Sequence, residues 1–141
     1  MNLFFDTSAL IKRYILEKGS DEVDELLNRA DGVFLSPLTE VETCSVFRRL
    51  WTDKAIDEKE YTLLLKEFET DCQYYTFIPL DEQVLWQAKR VIHEHQLKTL
   101  DSLQLGTALS LGNTIEHFVA CDEKLIKAGM KEDLGIISPE G

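Results

Sequence analysis

Asp6, Glu42, Asp101 and Asp122 are the residues of this chain whose settings point to chemistry. Asp6 ends the apolar run Leu3-Phe4-Phe5, and a helical pattern starts immediately behind it. Asp122 repeats that grammar after Phe118-Val119-Ala120-Cys121. Aspartate is a good helix N-cap, so either residue can simply start a helix. Thr7 and Ser8 could cap in place of Asp6, however, and two acids ending two parallel strands would share one edge of a sheet. Asp101 opens a helix in which Leu100, Leu103, Leu105, Ala108 and Leu109 spread around most of the circumference, the mark of a largely buried helix. A first-turn carboxylate gains only ~0.3–1 kcal/mol from the helix dipole. Burying it unpaired costs more than that or forces it to take a proton. Glu42, in "SPLTEVETCSVFRRL", fits a capping box begun by Thr39, and Glu40 points elsewhere, so one of the two glutamates can join Asp6.

If the four acids converge, their repulsion raises their pKa values or demands a counter-ion. No lysine or arginine lies beside all four in sequence. A hard, oxygen-preferring cation such as Mg²⁺ or Mn²⁺ answers that need. Other signals carry less. In His93-Glu94-His95 neighbouring side chains face different directions, so an exposed helix end is expected. Trp51, Trp86, Tyr61 and Phe68 fall on apolar helical faces and read as core or interface. There is no glycine-rich phosphate loop, zinc spacing or Ser-His-Asp order.

The elements that must position these acids follow from periodicity. Strands are expected at Leu3–Phe5, Val33–Leu35, Thr76–Ile78, His117–Cys121 and Gly135–Ile137. Helices are expected over Thr7–Leu16, from Ser20-Asp21 onward, from Ser36-Pro37 to Trp51, over Asp57–Tyr74 and over Asp81–His95. Two more are expected at Leu100–Leu111 and Glu123–Ala128. Short apolar strands alternating with helices make an α/β domain with a mainly parallel central sheet of four to five strands. In such sheets ligand chemistry gathers at the carboxyl ends of the strands.

A chain of 141 residues suits one domain over 1–141, and 44% hydrophobic with 29% charged residues is ordinary globular composition. No segment has the length and apolarity of a membrane span or the layout of a secretion signal, so a cytoplasmic location is expected. Cys44, Cys72 and Cys121 read as reduced core thiols. The net charge of −11 opposes polyanion binding unless a cation or a partner alters the local field.

"FFDTSALIKRYILEKGSDE", "LSPLTEVETCSVFRRL", "LKTLDSLQLGTAL" and "FVACDEKLIKAG" together resemble the PIN-domain ribonucleases, and among them the VapC-type toxins of toxin–antitoxin pairs. The likeness runs from Leu3 to the terminal strand in the same order and spacing. It implies a three-layer α/β/α fold and a four-acid Mg²⁺ or Mn²⁺ site made of Asp6, Glu42, Asp101 and Asp122, with the Ser8 hydroxyl in support. It also implies RNA phosphodiester hydrolysis, an antitoxin partner and a homodimer. Lys12, Arg13, Arg48 and Arg49 are then the candidates to steer the RNA backbone. Family members commonly carry Thr or Ser two residues before the last acid, where this chain has Ala120. Two alternatives are a degenerate PIN-like protein-binding module and a Mg²⁺-dependent phosphatase or phosphotransfer domain. The latter is opposed by the lack of a second acid in Asp6-Thr7-Ser8.

Overall fold

The structure, a computed structural model, describes residues 1–139. Its sheet has five parallel strands in the order β3-β2-β1-β4-β5. They are β1 (Asn2–Phe5), β2 (Gly32–Leu35), β3 (Tyr75–Phe77), β4 (His117–Val119) and β5 (Ile136–Ile137). The central strand is continuously apolar because both of its faces are covered, as parallel sheets require. Leu3 and Phe5 face one core, with Leu10, Val23, Phe47 and Phe68. Phe4 faces the other, with Val91, Leu105 and Phe118, its ring centroid 5.7 Å from that of Phe118. The chain is therefore a three-layer α/β/α fold. No helix among the described residues is long and apolar enough to cross a membrane.

The first layer holds α1 (Thr7–Leu10), α2 (Ser20–Arg29), α3 (Leu38–Thr52) and α4 (Glu58–Asp71). α1 is shorter than the periodicity suggests and passes into a 3₁₀ turn at Ile11–Arg13. The Ser20 hydroxyl accepts from the Glu17 amide at 2.9 Å and donates to the Ile15 carbonyl at 3.2 Å, which folds the following loop back on itself. Ser20 is thus not the cap of α2. Gly19 takes that place at φ 95°, where a Cβ would stand 2.4 Å from the Pro139 carbonyl oxygen. Ser36 and Pro37 lead into α3 one residue later than expected, with Pro37 at the cap position and the Ser36 hydroxyl accepting from the Leu38 amide at 3.2 Å. α4 is opened by a capping box between Asp57 and Glu60 and gives way to a 3₁₀ turn at Cys72–Tyr74.

The second layer holds α5 (Glu82–His95), α6 (Thr99–Leu111) and α7 (Glu123–Lys131). α5 and α6 pack closely because Gly106 has no side chain: a Cβ there would lie 2.8 Å from the Ala88 amide nitrogen and 3.0 Å from the Val84 carbonyl oxygen. Gly106→Val should therefore part the two helices and destabilise the fold by about 1–3 kcal/mol or more, read as a lowered urea midpoint with an unchanged slope.

The side-chain expectations for Cys44 and for His95 are corrected. Cys44 is exposed on the outside of α3 rather than in the core, whereas Cys72 and Cys121 are half-buried and pack against the first-layer core. Burial pushes the Cys72 thiol up to about 11. Trp86 is 59% exposed, whereas Trp51 stacks near Tyr61 with the Arg48 guanidinium over its ring at 4.0 Å. His93 is exposed, but His95 turns inward and lies 2.7 Å from Glu132.

Candidate metal centre at the sheet switch point

Strand order reverses between β1 and β4, the place where open parallel sheets form a crevice beyond the carboxyl ends of their strands. Asp6 follows β1 directly and Asp122 lies three residues past the end of β4, and the Asp6 amide extends the ladder by donating to the Val119 carbonyl at 3.0 Å. Asp6 does cap α1, its Oδ1 accepting from the Ala9 amide at 3.0 Å. The Ser8 hydroxyl lies 2.9 and 2.8 Å from the two Asp6 oxygens. The same hydroxyl accepts from the Cys121 amide at 3.3 Å, fastening the segment before Asp122 to Asp6. Asp122 caps α7 through Leu125 at 2.9 Å and is exposed.

Glu42 comes from the second turn of α3. The expected capping box with Thr39 is not formed. Glu42 Oε1 accepts instead from the Thr7 hydroxyl at 2.8 Å and from the Gln104 amide nitrogen at 3.1 Å. Its side chain thus turns inward toward α1 and α6, while Glu40 is exposed. Asp101, in the first turn of α6, is half-buried.

Electrostatics bind the acids into one group. Asp6 is 4% exposed, and its carboxyl is pushed up to about 7. Burial is the leading cause; the Ser8 and Ala9 hydrogen bonds oppose it, and repulsion from Asp101 and Glu42 adds to it. Asp101 is also raised, first by burial and then by Asp122 and Glu42, with Lys98 and Lys124 acting the other way. Among the described residues, no basic nitrogen comes within 4.0 Å of Asp6, Glu42, Asp101 or Asp122. A buried carboxylate held only by neutral donors, within an all-oxygen set, fits a hard divalent cation.

The four carboxylates stand open rather than clenched. Among the described residues, the one group of three His, Cys, Asp or Glu side chains with ligand atoms all within 4.8 Å is Glu94, His95 and Glu132. There Arg90 donates to both Glu132 oxygens at 2.7 and 3.1 Å and to Glu94 at 3.0 Å. That cluster is an ion-paired brace between α5 and α7, which holds the Glu132 carboxyl below its usual range, chiefly through the Arg90 hydrogen bond.

A cleft of about 670 Å³ lies beside the acids, lined by Thr7, Ser8, Val41, Glu42, Arg49 and Leu100 among others. Of the four cations expected to steer a polyanion, Arg48 and Arg49 are exposed, and Arg49 alone lines this cleft. Lys12 is 3% exposed and donates to Glu17 and to the Lys18 carbonyl. Arg13 is held by Asp71 at 2.8 Å, which also accepts from Tyr14. Lys12 is thus tied into the scaffold, and Arg13, still partly exposed, is paired with Asp71. Gln104, Thr7 and Thr39 lie outside the residues expected from the sequence. The available signal was a glutamine one helical turn beyond Asp101, on the same face of α6.

A family model described as "PIN domain" matches residues 3–130. No curated protein sequence matches significantly. Among solved structures, a toxin–antitoxin complex from Klebsiella pneumoniae aligns with TM-score 0.70 and 17% identity, covering 97% of each chain. FitAcB from Neisseria gonorrhoeae aligns with TM-score 0.71 and 16% identity, again covering 97% of each chain. FitAB bound to an IR36 DNA fragment gives TM-score 0.75 and 17% identity, with 99% of this chain and 96% of that chain covered. At such identity these similarities concern the fold.

Proposed function

Because this chain belongs to the PIN domain family, we propose that it is a Mg²⁺- or Mn²⁺-dependent endoribonuclease, the toxin of a toxin–antitoxin pair, acting in the cytoplasm as one domain over 1–141. The observation that carries the reading is Asp6. It is a buried carboxylate beside Glu42 and Asp101, with its proton affinity raised and no ammonium or guanidinium to neutralise it. Few roles other than cation binding account for three further acids around such a group.

In this reading Asp6, Asp101 and Asp122 would hold the ion, directly or through water, and Glu42 would complete the acidic wall as the fourth carboxylate of the metal site. A divalent ion bound there would supply positive charge against the phosphodiester and lower the pKa of a water for in-line attack. Ser8 fixes the orientation of the Asp6 carboxylate. Arg49 meets the RNA backbone from the cleft wall, offsetting part of the repulsion expected from a net charge of −11. Products would carry a 5′ phosphate and a 3′ hydroxyl.

The antitoxin belongs to the same proposal, since one of the similar structures is named as a toxin–antitoxin complex and two others as FitAB and FitAcB. A groove of about 410 Å³ lined by Tyr14, Ile15, Leu50, Ile56, Leu63 and Leu64 offers an apolar segment of such a partner a place to dock. Self-association into a homodimer completes the reading and is checked by sedimentation.

Protein stripped of metal should not cleave RNA, and Mg²⁺ or Mn²⁺ should restore cleavage with 5′-phosphate products. Cleavage in the presence of chelator overturns the mechanism. Stoichiometric Mn²⁺ binding without cleavage of any RNA would reduce the chain to a PIN-like binding module.

A further inference from the structure

Beneath the acids lies a buried polar network that joins the two helical layers across the sheet edge. Thr7 is 8% exposed, Thr39 0% and Gln104 3%. Thr7 and Thr39 belong to the layer of α1 and α3, and Gln104 to α6 on the opposite side. The Gln104 amide nitrogen lies 3.2 Å from the Thr7 hydroxyl, 3.2 Å from the Thr39 hydroxyl and 3.1 Å from Glu42 Oε1. The two hydroxyls are 3.0 Å apart.

The direction of the donors follows from counting protons. Thr7 gives its single hydroxyl proton to Glu42 Oε1, so Thr39 must donate to Thr7. Turning the amide round would set its oxygen against the Glu42 carboxylate and remove one of that oxygen's two donors. In the orientation it adopts, Gln104 Oε1 is buried with no hydrogen-bond partner. A buried acceptor left unpaired is unfavourable, and few native groups are left so. The network therefore satisfies Glu42 at the expense of Gln104. Oε1 of Glu42 receives two donors, and among the described residues no hydrogen bond engages Oε2.

We propose that Gln104, with Thr7 and Thr39, is a positioning residue that clamps Oε1 of Glu42 and thereby aims Oε2 into the acidic site, setting the spacing between the helices that carry Glu42 and Asp101. This rests on the metal-site reading above and adds to it the groups that orient one ligand. Gln104 lies one turn beyond Asp101, so its bond to Glu42 couples two acids borne on opposite layers. Partners of metal-binding carboxylates typically change affinity or activity by roughly 10–100-fold when removed.

Gln104→Met keeps the side-chain volume and removes both donors. Gln104→Glu keeps the shape and places an acceptor against Glu42. Mn²⁺ dissociation constants, measured by the electron paramagnetic resonance of free Mn²⁺, should rise by roughly 10-fold or more in both variants. The turnover number on RNA should fall alongside while KM for RNA stays within about twofold, since phosphate contacts are untouched. The thermal midpoint of the metal-free Gln104→Met protein should hold. Wild-type Mn²⁺ affinity in both variants overturns the proposal, as does failure of both to fold, which would make the amide a structural brace. Weakened Mn²⁺ binding in the variants of a protein that cleaves no RNA supports the clamp and removes only the ribonuclease reading. No Mn²⁺ binding by the wild-type protein overturns both.

Discussion

Asp6→Asn should lower RNA cleavage by roughly 10²–10³-fold or more and at the same time stabilise the metal-free protein. The loss follows because a ligand charge that supports transition-state neutralisation is worth several kcal/mol, each 1.36 kcal/mol being about tenfold in rate. The gain in stability follows from the raised carboxyl. Asp6 moves from 3.8 to about 7 on folding. The folded state therefore holds a proton that the unfolded state has already released, and stability falls as pH rises through that window. No penalty exists below about 3.8, and it is complete above about 7, at which point it is on the order of 4 kcal/mol. Asparagine is close in shape, remains a good N-cap for α1 and carries no charge. The variant should thus match wild type at pH 4 and exceed it at pH 8 by roughly 10 °C in thermal midpoint. Equal midpoints at pH 8, or retained cleavage, would remove Asp6 from the centre of the site.

A divalent ion should reverse the same penalty. Mn²⁺ at about 100 times its dissociation constant adds about 2.7 kcal/mol to a folded state that alone binds it. The ion competes with the proton on Asp6 and with the raised Asp101, so affinity should drop about tenfold for each pH unit below about 7. Thermal scans should show a large Mn²⁺-induced rise at pH 8, a much smaller one at pH 5 and almost none in Asp6→Asn. A rise of the same size at pH 5 and pH 8 would mean that the ion binds elsewhere. The Glu94–His95–Glu132 cluster is the obvious second address, and Glu94→Gln separates the two cases.

Local chemistry carried far in this chain. The continuous apolar run of β1, the Asp57–Glu60 capping box and the apolar girth of α6 each obey short-range rules, so the alternation of strands and helices could be read without coordinates. The four acids were legible for the same reason: each stands at a strand end or in an early helical turn, and the crevice of a parallel sheet lies at those ends. Boundaries were less legible. α1 gives way to a 3₁₀ turn after Leu10, and Ser20 ties down the loop that follows from outside the helix, a contact no local pattern encodes.

Order along the polymer determined which residues could carry chemistry; packing decided which of them are free to meet and which are tied up elsewhere. Lys12 and Arg13 look like free cations in the sequence, but Glu17, Asp71 and a carbonyl claim them once the layers close. Gln104 looks like an ordinary polar helix residue until the sheet edge brings Thr7, Thr39 and Glu42 to its amide from elements 62 to 97 positions away. Periodicity reports which face of an element is buried, because that depends on neighbours a few residues off. The identity of the atom met across the interior depends on strand order and register, and those are set only when the whole sheet has formed.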